Sequence, residues 1–164
     1  MVDCDFMGPR NPIFIGKAEC EYCCINVRLL WNITKKFMKQ ILDKLKLVLT
    51  DLEKELGPVS VFALFLRTDP LEKWDIVVAA SWLYPNELSS YELINSKIQN
   101  VLTPSDLLKL ARIVILSNLD PVVSFLQDSV SVTNGSFGEV AGDIFTEKFG
   151  FTIKQAYLLR CQRI

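Results

Sequence analysis

Apolar residues recur at spacings of three and four along residues 32–56, which is typical of one apolar face on an α-helix. Gly57-Pro58 ends this pattern, because glycine suits the left-handed position after a helix and proline cannot continue one. We therefore predict a long amphipathic helix that ends near Leu56. Its start is open between Asn32 and Glu19, because residues 23–31 are apolar without a clear period. The apolar face consists of Ile33, Phe37, Met38, Ile41, Leu42, Leu45, Val48, Leu49, Leu52 and Leu56.

Two runs rich in β-branched and aromatic residues follow the helix, at 59–66 and 74–83, with a charged segment between them. Short apolar runs on either side of a polar turn are typical of two adjacent strands. Neither run alternates regularly between apolar and polar residues, which indicates burial on both faces. We predict that these segments form an antiparallel hairpin inside the core.

The rest of the chain alternates between helical and extended patterns. Both Thr103-Pro104 and Asp120-Pro121 combine a capping side chain with a proline at the first helical position, which is typical of a helix start. The predicted elements are helices at 88–102, at 103–110 and from 120 onward, strands at 112–117 and 151–161, a turn at 133–136 and an ambiguous glycine-containing piece at 138–145.

The alternation of helices with buried strands determines the predicted fold class. It favours an α/β or α+β protein with a mixed sheet of about four to five strands, packed by the long N-terminal helix and by further helices. The length of 164 residues predicts a single domain over 1–164. Residues 1–17 are expected to be an irregular arm, with a short extended piece at Ile13-Phe14-Ile15.

Composition and charge restrict the environment and the class of partner. Half of the residues are hydrophobic, yet no apolar run approaches the roughly 18 residues of a membrane-spanning helix. Acidic residues near the start argue against a secretory signal. With a net charge of -1, no global field attracts nucleic acid or an anionic membrane. We expect a soluble cytoplasmic protein with no membrane partner and no nucleic-acid partner.

The chain contains no histidine, which narrows catalysis without excluding it. Histidine alone has an unperturbed pKa suited to proton transfer near neutrality. Serine or cysteine triads with a histidine base and histidine-containing metal sites cannot be built from this chain alone. We expect no cofactor, and any enzyme chemistry would depend on carboxylate, lysine or cysteine groups.

The five cysteines are interpreted as reduced thiols, because an odd number does not make a closed disulfide framework. Cys20, Cys23 and Cys24, with Cys4 upstream, are the closest approach to a zinc site. A structural zinc site requires a second clean pair, which this chain lacks. Whether these four bind a metal stays open, and we predict no metal, with the thiols packing as small apolar groups.

Charges on the long helix oppose the helix dipole. Lysines crowd its first part and acids its end, whereas the dipole favours the reverse arrangement. A helix that starts near Glu19 would place the lysines mid-helix, where the dipole effect is weak. The alternative is a lysine face that meets phosphate or an acidic partner. The lysines are Lys35, Lys36, Lys39, Lys44 and Lys46, and the acids are Asp51, Glu53 and Glu55.

Charged residues near the hairpin turn are interpreted as a solvated surface, because the strands lack the acid-x-lysine triplet of metal-dependent nucleases. They are Arg67, Asp69, Glu72, Lys73 and Asp75. Neither Gly16-Lys17 nor the glycines at 135–142 match a nucleotide-binding fingerprint.

Two function classes remain. The favoured one is a non-catalytic binding or accessory protein, whose apolar excess is buried against a protein partner or in a homo-oligomer. The alternative is a small enzyme with a pocket at the carboxyl ends of the strands, near 83–85 and 117–120. Asn118 and Asp120 are the candidate residues of that pocket, although an ordinary turn and a helix N-cap are the favoured explanation for them.

Overall fold

The computed structural model describes residues 21–68, 72–132, 138–141 and 152–164, with side chains from Lys36 onward except at 139–141. Predictions for the arm at 1–17, with its piece Ile13-Phe14-Ile15, and for the turn at 133–136 lie outside these residues. The elements are α1 (Glu21–Leu56), β1 (Val59–Arg67), β2 (Trp74–Ala80), α2 (Leu88–Val101), α3 (Pro104–Leu107), β3 (Leu110–Leu116), α4 (Pro121–Ser129), β4 (Gly138–Ala141) and β5 (Ile153–Cys161).

In the described residues helix α1 covers Glu21–Leu56, so the apolar segment 23–31 is helical and a start as late as Asn32 is wrong. It ends at Leu56, and Gly57 then takes a φ of 112°, the left-handed conformation that glycine adopts without strain. Most of the predicted face is buried, but Phe37 is half-buried, Leu56 is 39% exposed, and the side chain of Ile33 lies outside the described residues. Its buried members are Met38, Ile41, Leu42, Leu45, Val48, Leu49 and Leu52.

The strands form one mixed sheet in the order β3-β2-β1-β5-β4. β1 and β2 make the predicted antiparallel hairpin, with Leu64 opposite Ile76. β5 pairs antiparallel with β1 and β4, and β3 pairs parallel with β2. A mixed sheet with helices and an antiparallel hairpin confirms the predicted fold class.

Helices cover the sheet on both faces, which gives three layers. Phe62 and Leu64 of β1 pack with α1 and α2 in one core cluster. Val61 and Phe65 of the same strand pack with α4 in a second cluster on the opposite face. All residues of β1 except Arg67, and all residues of β2, are buried, as predicted for strands that are apolar throughout.

Two boundaries differ from the predictions. α3 ends at Leu107 rather than near Leu110, because the chain turns at once into β3 and Lys109 accepts a backbone hydrogen bond from Trp74. Tertiary pairing here overrides helix propensity. The ambiguous piece after 138 contributes β4, and β5 begins two residues later than predicted.

Residues 36–164 form one compact unit and residues 1–35 another, so the single domain stays a prediction.

Charged side chains of α1 are paired across the fold, which resolves the conflict with the helix dipole. Glu53 pairs with Arg160 of β5, with Nη2 2.5 Å from Oε2. Glu55 pairs with Lys97 of α2 at 2.6 Å. Cations therefore compensate the acids at the C-terminal end of α1, and the early start at Glu21 places the lysines mid-helix.

Candidate protein-interaction surface

The described fold has a long, open sheet edge at strand β3. Within the described residues it pairs only with β2, so about half of its backbone N–H and C=O groups point away from the sheet. The other edge strand, β4, spans four residues, whereas β3 spans seven. An edge of this length is a template on which another strand can pair.

The sequence of β3 carries little protection against such pairing. Natural edge strands are commonly blunted by lysine, proline, a bulge or short length. Leu110–Leu116 contains neither lysine nor proline, and its single charge is Arg112. A register shift occurs only at the start of the ladder, between Trp74 and Asp75, and pairing is regular afterwards. From Ile113 onward, no bulge therefore interrupts the strand and hinders a partner.

Exposed leucines lie on both sides of β3. Leu108 precedes the strand with 71% of its surface exposed, and Leu119 follows it with 91% exposed. Single exposed leucines are ordinary on protein surfaces. Here one exposed leucine lies just before an apolar edge strand and another just after it, and apolar groups that cluster in this way are typical of an interaction surface.

A groove of about 320 Å³ runs beside β3, between the strand and helices α2 and α3. Its deepest side chains, Ile76 and Ile98, are almost fully buried. Its lining also includes the neutral amides Asn95 and Gln99 of α2 and the charged Arg112 of β3. An open backbone edge next to a groove lined by apolar and polar side chains is an arrangement that can recognise an extended segment through its backbone and alternate side chains.

Asp75 fixes the start of β3 to β2. Its side chain is 1% exposed, and Oδ2 lies 3.0 Å from Nε of Arg112 and 3.1 Å from Nε of Arg67. The interpretation of this cluster as a solvated turn is therefore wrong for Asp75, because β1 and β3 bring two arginines to it. Glu72 is exposed and pairs with Lys154, as expected for a surface residue. Asp69 lies outside the described residues.

Asp106 stabilises α3, the helix that forms one wall of the groove. It is 4% exposed, accepts from Nζ of Lys44 at 2.5 Å and makes a reciprocal capping box with Thr103. Burial alone would raise the pKa of Asp106, but hydrogen bonds from Lys44 and from the backbone and side chain of Thr103 hold that pKa below its usual value. Lys44, one of the lysines considered above for binding phosphate or an acidic partner, thus pairs with an acid of its own chain.

Replacing Asp106 with asparagine is expected to remove part of the acid sensitivity of the fold. Because the pKa of Asp106 is lowered on folding, its contribution to the free energy of unfolding is present above the unfolded pKa of 3.8 and is lost as the pH falls below 3.8, through the lower folded pKa. The difference in stability between the wild type and D106N should therefore shrink as the pH falls. Urea denaturation followed by circular dichroism between pH 7 and pH 3 measures it, and a difference independent of pH would contradict the role given to the carboxylate.

The residues predicted for an enzyme pocket have structural partners. Asp120 caps α4 by accepting from the backbone N–H of Val122 at 2.8 Å. Asn118 accepts from the hydroxyl of Ser60 at 2.9 Å. Tyr84 donates its backbone N–H to the hydroxyl of Ser90. The bond of Asp120 is that of a helix cap, the alternative explanation that the sequence offered for it, whereas Asn118 bonds to Ser60 of β1, a contact across the fold.

The other sequence-predicted groups are only partly described. Lys36 and Lys39 are exposed, whereas the side chain of Lys35 lies outside the described residues, as do those of Cys4, Cys20, Cys23 and Cys24. In the part of the chain that the structure describes, no three potential metal ligands come together. Cys161 is buried, and burial raises the pKa of its thiol to about 11, so it stays protonated near neutrality and packs as an apolar group.

Sequence reasoning missed the edge of β3 as a site. Strand order is set by long-range pairing, which a single sequence does not encode locally. The available signal was the apolar run at 110–116 together with solvent-exposed leucines at its flanks, in a segment without lysine or proline.

None of the helices within the described ranges is long and apolar enough to cross a membrane. Comparison of the chain with models of known families, with curated proteins and with solved structures found no match. The function is therefore argued from the edge of the sheet and its groove.

Proposed function

We propose that the domain is a non-catalytic binding or accessory protein, to which another polypeptide adds a strand at the open edge of β3. A single observation carries this proposal: a seven-residue apolar strand lies at the edge of the sheet and pairs on one side only within the described residues. Strand addition would pair the outward backbone groups, which otherwise depend on water.

The groove beside β3 supports the same proposal. In strand addition, main-chain hydrogen bonds provide affinity, and pockets for alternate side chains provide specificity. The buried Ile76 and Ile98 favour apolar side chains in the groove, and Asn95, Gln99 and Arg112 give its lining polar contacts for the same segment. Leu108 and Leu119 extend the apolar contact beyond both ends of the strand.

We also propose that the protein acts in the cytoplasm. It is supported by the odd number of cysteines and by the buried, protonated thiol of Cys161, which suit a reducing compartment. An enzyme that uses carboxylate, lysine or cysteine chemistry remains the alternative class. The structural bonds of Asn118 and Asp120 give it no support.

A photoreactive phenylalanine analogue at Leu119, introduced into the full chain in living cells, tests the proposal. Illumination is expected to link Leu119 covalently to another polypeptide, which gel shifts and mass spectrometry would detect. The matched control is the same analogue at Leu47, which is 60% exposed on α1. Equal yields of adduct at the two positions would contradict a partner at β3.

A further inference from the structure

We infer that the polypeptide that adds to β3 carries an aspartate or a glutamate directly opposite Arg112. This inference rests on the proposed function and deepens it, because it names the chemistry of the segment that pairs with the same edge. Its basis is a row of alternating charges that crosses the sheet and ends, at the open edge, on a positive charge.

The row consists of one charged side chain from each of three neighbouring strands. Arg67 belongs to β1, Asp75 to β2 and Arg112 to β3, and these strands are adjacent in the sheet. Oδ2 of Asp75 lies within 3.1 Å of Nε of both arginines. The charges are therefore positive, negative and positive in the order of the strands, and the next strand outward from β3 would continue the row.

Asp75 and Arg112 share one face of the sheet. They are opposite residues in the ladder between β2 and β3, and the side chains of directly opposed residues point to the same face. Phe65, the residue of β1 opposite Asp75, packs in the core cluster of α4, so this is the face that α4 covers. A residue of an added strand opposite Arg112 would point its side chain to the same face, on the other side of the guanidinium.

The backbone of β3 allows an added strand to reach this position. Trp74 donates its backbone N–H to the carbonyl that precedes β3, so alternate residues of β2 from Trp74 onward direct their backbone groups toward β3. Ile76 therefore bonds to the neighbours of its opposite residue Ile113, and the N–H and C=O of Ile113 and Ile115 point away from β2. A strand bonded to these groups places one residue opposite Arg112, which is adjacent to Ile113.

The charges of the row are not balanced. Two guanidiniums share one carboxylate, which leaves one positive charge in excess among the three side chains. Asp75 is buried, whereas the side chain of Arg112 is 48% exposed at the edge. Opposite charges that face each other across neighbouring strands are stabilising, and like charges are destabilising. An acid opposite Arg112 would balance the row, and a lysine or arginine there would be repelled.

The same face of β3 also determines the neighbours of that acid. Val114 and Leu116 follow Arg112 at alternate positions, and both are half-buried. The segment that fits therefore has an acid opposite Arg112 and apolar residues opposite Val114 and Leu116. This pattern sets the register, because a slip of one residue moves the acid to the other face and a slip of two places it opposite Val114. A second β3 strand does not provide the acid, since its one charge is Arg112.

A double-mutant cycle tests the pair. The full chain and the polypeptide that cross-links at Leu119 are purified, and isothermal titration calorimetry measures their dissociation constant. R112Q is expected to raise this constant about fivefold, and so is the change of one acid in the linked segment to its amide. The two changes together should also raise it about fivefold, because both remove the same pair. R112K, which keeps the charge, should bind more tightly than R112Q.

The matched control is K54Q, which removes one positive charge from exposed α1 and should leave the dissociation constant unchanged. An equal loss in K54Q would show diffuse attraction and overturn the pair with Arg112. Effects of R112Q that multiply with those of every acid, or a linked segment without an acid, would also overturn it, while the adduct at Leu119 would leave the proposed function standing. Absence of any adduct at Leu119 would overturn both.

Discussion

Replacing Glu53 with glutamine is expected to lower the free energy of unfolding by about 3 kcal/mol. Arg160 is 6% exposed at its side chain, and Glu53 faces it with three short contacts, from Nε at 2.9 Å and from Nη2 at 2.5 Å to both oxygens. Glutamine keeps the shape but removes the negative charge, so the guanidinium would stay buried without a counter-charge. Loss of one partner from a buried pair is costly for this reason.

Glu55 offers a matched control two residues away. It pairs with Lys97 at 2.6 Å, but its side chain is 56% exposed, so water screens the pair. E55Q should therefore lower the free energy of unfolding by less than about 1 kcal/mol. Urea denaturation of both variants measures the difference. Similar losses in E53Q and E55Q would show that the pair with Arg160 does not anchor α1 to β5.

Truncating either phenylalanine of β1 is expected to cost about 3–5 kcal/mol of unfolding free energy. Phe62 and Phe65 are both fully buried, but they lie in different core clusters, one with α1 and α2 and the other with α4. F62A and F65A should therefore be destabilising to a similar extent, because each opens a cavity in a separate layer. Thermal and urea denaturation would measure both losses.

The control for these truncations is L47A, since Leu47 is exposed on α1. Its effect should stay within about 0.5 kcal/mol, as for most surface substitutions. A small effect of F65A beside a large effect of F62A would contradict the three-layer arrangement. It would leave α4 as a surface helix without a core of its own.

Elements with strong local signals were predictable from the sequence. The hairpin follows from two apolar runs around a polar turn, and α1 from its spacing and from Gly57-Pro58. The end of α3 was not predictable, because Lys109 and Leu110 are taken up by pairing with Trp74. That pairing is a contact over more than thirty residues, which local propensity does not contain.

Polar positions were harder to predict than apolar ones. Asp75 is adjacent to a charged turn in the sequence, yet the fold buries it between Arg67 and Arg112. Lys44 was one of a row of similar lysines, and only the position of α3 selects it as the partner of Asp106. The candidate surface was out of reach for the same reason, since a strand becomes an edge only once the order of the whole sheet is known.

The central claim is that the outward backbone groups of β3 are paired by another chain. Amide hydrogen exchange of the full chain, resolved by residue and compared with and without the polypeptide that cross-links at Leu119, tests it most directly. The amides of Ile113 and Ile115 should exchange more slowly when that polypeptide is present, while those of the central strand, such as Leu64, stay unchanged. Exchange at Ile113 and Ile115 that is equally fast with and without it would contradict the account.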